Sequence, residues 1–345
     1  MSFHILTFYD SLNHLIITMS KQQKSNYKNP FSATWEGIRA VFAKQEKVGS
    51  LNDADRLEGK TVLVDGASSG LGFAVAVQMA ERGARVIMAC RSGIPGKGEE
   101  VKRRSGNHNI EMVQVDYSDV VSVLKFIKTV KEKYSPLDIV ICNAAMVPRQ
   151  SRRTPQGLEE MFMVNYLSKF MMINSLIKED CFRKNGEIPR IVFVASESHR
   201  HPPAFNWDAF GVYKSYGMHK TVEYYGYYKL LLTTFSYELS RRLQANGNSP
   251  VSVFALCPGP VNSGIAREAP ALFQPLMKLI FALLFKSPRK AAEPVVYLAL
   301  SKDLEGKPYD YLFKMSRKEI DEKAADPENG KKLWRLSEEL VAKLS

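Results

Sequence analysis

The chain has 345 residues, 45% of them hydrophobic and 24% charged, with a net charge of +12. That length holds one large domain or two modest ones around a sizeable core, and the composition is that of an ordinary globular protein. The positive surplus suits anionic ligands, phosphates or an acidic membrane surface, or simply a basic solvated exterior, and it carries no information about fold.

The basic runs Lys102-Arg103-Arg104 and Arg149 to Arg153 are short and lack interleaved aromatics, so no nucleic-acid partner is expected. Cys90, Cys142, Cys181 and Cys257 contain no C-x-x-C pair, which argues for buried free thiols and against a disulfide framework or a zinc site. No run reaches the roughly 18 apolar residues of a membrane-spanning helix.

Residues 1–29 open with an apolar stretch that lacks a basic leader and carries Asp10 and His14. They read as a disordered or weakly attached segment, not a secretory signal, with Met19 as an alternative start. In residues 30–56, Trp35, Ile38, Val41 and Phe42 fall at helical spacing. They predict an amphipathic helix that packs on the main domain, on a partner subunit or on lipid.

From Lys60 the pattern is strand, turn, helix, repeated. Strands are expected at Thr61 to Val64, Arg85 to Ala89, Glu111 to Val115, Leu137 to Cys142, Arg190 to Ala195 and Val251 to Cys257. Helices are expected at Gly70 to Arg82, Ser118 to Tyr134, Gly157 to Glu179 and Thr221 to Gln244. Such alternation predicts an α/β fold with a single doubly wound parallel sheet, helices on both faces and an N-terminal helical extension, the domain running over 57–345. The apolar segment Pro270 to Phe285 is a further helix candidate that roofs a substrate pocket, packs in the core or lies in a membrane interface. Asp326 to Leu344 reads as a charged amphipathic helix.

Two stretches carry chemistry. Tyr225 and Lys229 are four apart, which puts both on one helix face. A phenol titrates at about 10, and a neighbouring ammonium lowers that value toward useful acid–base work. Gly66-Ala67-Ser68-Ser69-Gly70-Leu71-Gly72 lies between a strand and a helix, where glycines let the backbone approach a pyrophosphate at a helix N-terminus. The next strand ends Ala89-Cys90-Arg91-Ser92, with no acid for a ribose 2′-hydroxyl. Arg91 instead suits a 2′-phosphate, favouring NADP(H) over NAD(H), unless it is only a surface residue.

In this order the pieces resemble the short-chain dehydrogenase/reductase family over about residues 58 to 300. Asp65-Gly66 to Gly72 matches its TGxxxGxG turn, Asp116 its adenine-holding acid, and Asn143-Ala144-Ala145 its NAG element. Asn165, Ser196 and the Tyr225–Lys229 pair match its active-site residues, and Pro258-Gly259 with Val261 and Ser263 matches the loop beside the nicotinamide. Val86 to Arg91, the Leu-Ser-Arg-Arg-Leu run ending at Leu243 and Tyr297-Leu298-Ala299 are similar to the retinol dehydrogenase-like branch, with some likeness to protochlorophyllide reductases.

The resemblance implies a Rossmann-like sheet and reversible hydride transfer between NADP(H) and a lipophilic alcohol or carbonyl. Tyr225 is then the proton donor, Ser196 holds the substrate oxygen, Lys229 lowers the Tyr225 pKa and binds the ribose, and Asn165 positions a water. A cytoplasmic protein with peripheral membrane contact and a homodimer are compatible expectations. Three departures stand out. Asp65 replaces threonine beside a phosphate site, Ala145 replaces glycine, and Tyr228 replaces a small residue and is expected to add bulk near the cofactor. Asp65 and the N-terminal extension leave open a catalytically silent dinucleotide-binding scaffold. His199 and His201 read as loop residues, and Phe205, Trp207, Phe210 and Tyr213 either line the substrate mouth or pack an enlarged loop.

Overall fold

Eight strands hydrogen-bond in the order β3-β2-β1-β4-β5-β6-β7-β8. They are β1 Thr61–Asp65, β2 Arg85–Cys90, β3 Ile110–Gln114, β4 Ile139–Cys142, β5 Arg190–Val194, β6 Ser252–Cys257, β7 Tyr309–Phe313 and β8 Ser316–Arg317. β1 to β7 run parallel, and β8 turns back antiparallel on β7. This computed structural model describes residues 47–52, 55–184, 186–245, 251–259 and 287–344. The leader, the helix expected within 30–46, Val261, Ser263 and the apolar segment 270–286 lie outside the described residues.

Helices cover both faces, as a parallel sheet requires. On one face, α1 (Gly70–Glu81), α2 (Gly96–Ser105) and α6 (Pro288–Leu300) pack on Val62, Val64, Met88, Ile141, Val192 and Leu256. On the other lie α3 (Val120–Tyr134), α4 (160–178) and α5 (Met218–Ala245), with Phe235 of α5 edge-on to Phe193 of β5 at 5.6 Å. α4 is composite: Glu160–Phe162, a π turn Met163–Leu167, then Ser168–Lys178. After the short α7 (Glu322–Ala325), α8 (Pro327–Leu344) forms an outer layer. Its Trp334 packs on Phe170 and Phe235, and its Ser337 hydroxyl bonds Tyr166 at 2.6 Å.

The six expected strands and five of the expected helices are present. α2, α6, α7, β7 and β8 add to them. α2 reads GKGEEVKRRS and buries only Gly98 and Val101, so it has no apolar stripe to detect. α6 carries Pro294 in its interior, which removes one ladder bond, yet it holds through buried Ala291, Ala292, Val295 and Val296. All four cysteines are free and buried. Among the described residues, no helix is long and apolar enough to cross a membrane.

Candidate active site

Strand order reverses between β1 and β4, and ligands of open α/β sheets bind at the carboxyl ends beside such a reversal. The glycine turn follows β1 there, and Asn143, Ser196 and Pro258 follow β4, β5 and β6. Gly66 sits at φ +61°, and a Cβ on Gly72 would lie 2.4 Å from the Gly66 carbonyl oxygen and 2.5 Å from Asn143 Nδ2. The turn is therefore folded against β4 as only glycine allows. Asn143 completes it by donating from Nδ2 to the carbonyl of Asp65 at 3.0 Å.

The residues present fit a dinucleotide. α1 has no acid in its first turn, and its N-cap Ser69 makes no side-chain cap bond, leaving the end positive and its hydroxyl available. Asp116 accepts from the backbone and hydroxyl of Ser118 through Oδ1 alone. Its Oδ2 has no hydrogen bond among the described residues. Arg91 is exposed and makes no ion pair among the described residues. These are the donor and acceptor types that pyrophosphate, adenine and a ribose phosphate require. Pro258 and Gly259 close the far side after β6, with Gly259 at φ +80°.

Ser196, Tyr225 and Lys229 meet at the end of β5. Ser196 caps the turn Glu197–Arg200 by accepting from Ser198 N at 3.2 Å, donates from its hydroxyl to Ser198 Oγ at 3.1 Å, and stands beside the Tyr225 phenol. The phenol is pushed up to about 12, first by burial and then by Cys257, while Ser196 pulls it down. Lys229 is 2% exposed, donates to the Val194 carbonyl at 2.7 Å and places Nζ 5.7 Å from the Tyr225 ring. Burial pushes this lysine down to about 7, and Lys169 adds to the effect. Burial thus disfavours the charged forms of both the phenol and the ammonium, and Ser196 acts in the opposite sense on the phenol.

Asn165 is fully buried in the π turn of α4. Its Oδ1 accepts from Met146 N at 2.8 Å and its Nδ2 donates to Met146 O at 3.0 Å. The carboxamide thus holds the loop after β4. Tyr228 corrects the expectation of bulk beside the cofactor. It is buried against Phe162 at 5.6 Å and lies near Glu159, in the layer between α4 and α5. Phe210 packs on Phe162, and the Tyr213 hydroxyl pairs with Ser151 at 3.0 Å, so this part of the 197–217 interval packs its own loop.

Sequence reasoning missed His199. It is fully buried, its Nδ1 bonds the Ser196 carbonyl at 2.7 Å, and its Nε2 accepts from Asp321 N at 3.1 Å. That pattern fixes the Nδ1–H tautomer. Glu197 reinforces the same junction, taking the Tyr311 hydroxyl at 2.9 Å and pairing with Arg200 and Lys318. The C-terminal segment therefore clamps the turn that carries Ser196. Among the described residues, no cluster could hold a metal ion.

A glycine turn at a helix N-terminus, set beside a serine–tyrosine–lysine cluster on a parallel sheet, defines a dinucleotide-dependent oxidoreductase acting on CH–OH and C=O groups. The chain belongs to the short chain dehydrogenase family, whose family model matches residues 60–271, and to its retinol dehydrogenase-like branch. It is 30% identical over 340 residues to retinol dehydrogenase 14 of Homo sapiens, covering 90% of this chain and 95% of that one. It is 32% identical over 295 residues to retinol dehydrogenase 13 of Mus musculus, covering 83% and 84%. An uncharacterized protein from Mycobacterium Paratuberculosis shares the fold at a TM-score of 0.65 and 26% identity, over 85% of this chain and 98% of that one.

Proposed function

We propose that this chain interconverts a lipophilic alcohol and its carbonyl, with NADP(H) in preference to NAD(H). The observation that carries the reading is the convergence of Ser196, Tyr225 and Lys229 at the carboxyl edge of the sheet, with Lys229 anchored on the Val194 carbonyl at 2.7 Å and its Nζ 5.7 Å from the Tyr225 ring. The nicotinamide supplies or accepts the hydride. Tyr225 passes its phenolic proton to the developing alkoxide or takes it back, and Ser196 bonds the same oxygen, an arrangement of the kind that contributes about a hundred- to ten-thousand-fold. Lys229 holds the ribose hydroxyls. Ser68, Ser69, Gly70 and Leu71 meet the pyrophosphate, Asp116 the adenine amino group, and Asn143 and Ala144 line the wall between them.

Arg91 and Ser92, exposed at the end of β2 where no acid stands, support the 2′-phosphate preference. Two features support a lipophilic substrate. The relatives at 30–32% identity are retinol dehydrogenases. Met218 and Val222, 69% and 42% exposed, continue the Tyr225–Lys229 stripe of α5 outward at helical spacing. Asp65 no longer favours a silent scaffold, because its charge is matched by Lys169.

A matched NADPH and NADH screen over retinal, long-chain aldehydes, steroids and quinones tests the proposal. Steady NADPH oxidation that Tyr225→Phe abolishes, while cofactor still binds, is the expected result. Binding without turnover across the panel, or equal use of the two cofactors by wild type and Arg91→Ala, would refute the corresponding half.

A further inference from the structure

Asp65 and Lys169 are 104 positions apart in sequence and meet in the interior, 0% and 1% exposed, with Asp65 Oδ2 3.5 Å from Lys169 Nζ. Each partner also holds one end of the same loop. Asp65 Oδ1 accepts the backbone N–H groups of Asn143 and Ala144. Lys169 donates at 2.7 Å to the carbonyl of Val164, inside the π turn that carries Asn165, and Asn165 bonds both main-chain groups of Met146. The Lys169 ammonium also lies 4.3 Å from the centroid of the Tyr117 ring, which directly follows Asp116.

We propose that Asp65 and Lys169 act as one positioning unit, whose paired charges hold the 143–146 loop against the dinucleotide from both ends. The inference rests on the family's dinucleotide chemistry and not on the identity of the substrate. Neither partner works alone. A lone carboxylate or ammonium in this dry site lacks the opposite charge that makes its burial tolerable. Asp65 Oδ2 has no hydrogen bond among the described residues, so Lys169 is what answers it.

The pair also faces the reaction centre. Lys229 is acted on by Lys169, Cys257 and Asp65, with Tyr225 and the Val194 carbonyl in contact. Lys169 disfavours its ammonium form, while Asp65 and Cys257 favour it. Cys90, Cys142 and Tyr117 are the remaining titratable groups around Asp65.

A double-mutant cycle tests this. Asp65→Asn keeps one oxygen for Asn143 and Ala144, and Lys169→Met keeps the length of the buried stem. Each single variant is expected to lose about 10 °C or more in unfolding midpoint. The double variant is expected to regain most of that loss, together with dinucleotide affinity measured by fluorescence quenching. Lys169→Met, freed of a like charge, should also move the pH limb set by Lys229 upward, and the double variant should return it. A double variant no more stable than the worse single overturns the proposal, as does a Lys169→Met enzyme whose pH limb stays where it was.

Discussion

Gly226 lies so close to the Ser198 carbonyl that a Cβ there would sit 2.9 Å from the oxygen. Both groups are backbone, so no flexible side chain can move aside. This approach seats α5 on the turn after Ser196 and sets Tyr225, one residue earlier, beside Ser196. Gly226→Ala gains helix propensity of up to about 1 kcal/mol, yet must push the helix off the turn by a few tenths of an ångström. The expected result is a kcat lower by about ten-fold or more, with an unfolding midpoint within a few degrees of wild type and unchanged cofactor affinity. Steady-state kinetics beside a thermal scan check it, and a full-speed Gly226→Ala enzyme would show the contact to be slack.

His199 makes the same turn sensitive to acid. Burial pushes its imidazole down to about 4, against 6.5 for an exposed histidine. Between these values the unfolded chain binds a proton that the folded chain refuses, so stability falls as pH drops from 6.5 and the cost is complete below 4. That cost is about 3 kcal/mol. Protonation would also turn Nε2 from an acceptor for Asp321 N into a second donor. His199→Gln should therefore lose less stability than wild type on going from pH 6.5 to 4.5, measured by urea unfolding. Parallel losses in the two proteins would refute the assignment.

The contrast between Tyr225 and its neighbours shows what was legible in the sequence and what was not. The Tyr225–Lys229 pair and the glycine turn are written in short spacings, so they stand out without a structure. Tyr228 is adjacent to Lys229 in sequence, but one helical step turns a side chain through about 100°, carrying it toward Phe162 and Glu159. The charge balance of Asp65 and the burial of His199 depend on partners 104 and 122 positions away, which no local pattern reveals. The pKa directions were hidden for a related reason. Spacing shows that Lys229 is near Tyr225, whereas the loss of water around both is a property of the folded core. α2 escaped notice because its buried surface is one valine and one glycine.

Lys229 should leave its mark on stability above neutrality. Its folded value of about 7 lies far below 10.5, so between those limits the unfolded chain holds a proton that the folded chain has released. Stability from this group therefore rises with pH across the window, and its burial costs most below pH 7. Tyr225, raised to about 12, titrates outside that window. Relative to Lys229→Met, wild type should gain about 2 kcal/mol between pH 7 and 9. Chemical unfolding of both proteins at the two pH values measures the difference, and a constant offset would place the lysine's proton elsewhere.

Met218 and Val222 offer a test of how the substrate reaches Tyr225. They precede it by seven and three residues on α5, so the exposed apolar lip and the phenol share one helix face. An alkyl chain lying along that face would contact both side chains, whereas a short aldehyde would reach only the phenol and Ser196. Removing apolar contact of this size costs about 1–3 kcal/mol in discrimination. The double variant Met218→Ser/Val222→Ser should lose about ten-fold or more in kcat/KM for a ten-carbon aldehyde and less than about two-fold for propanal. A homologous aldehyde series assayed with NADPH measures it. An equal loss at every chain length would mean that the substitutions disturb the helix and not the substrate path, and no loss at any length would place the alkyl chain on another surface.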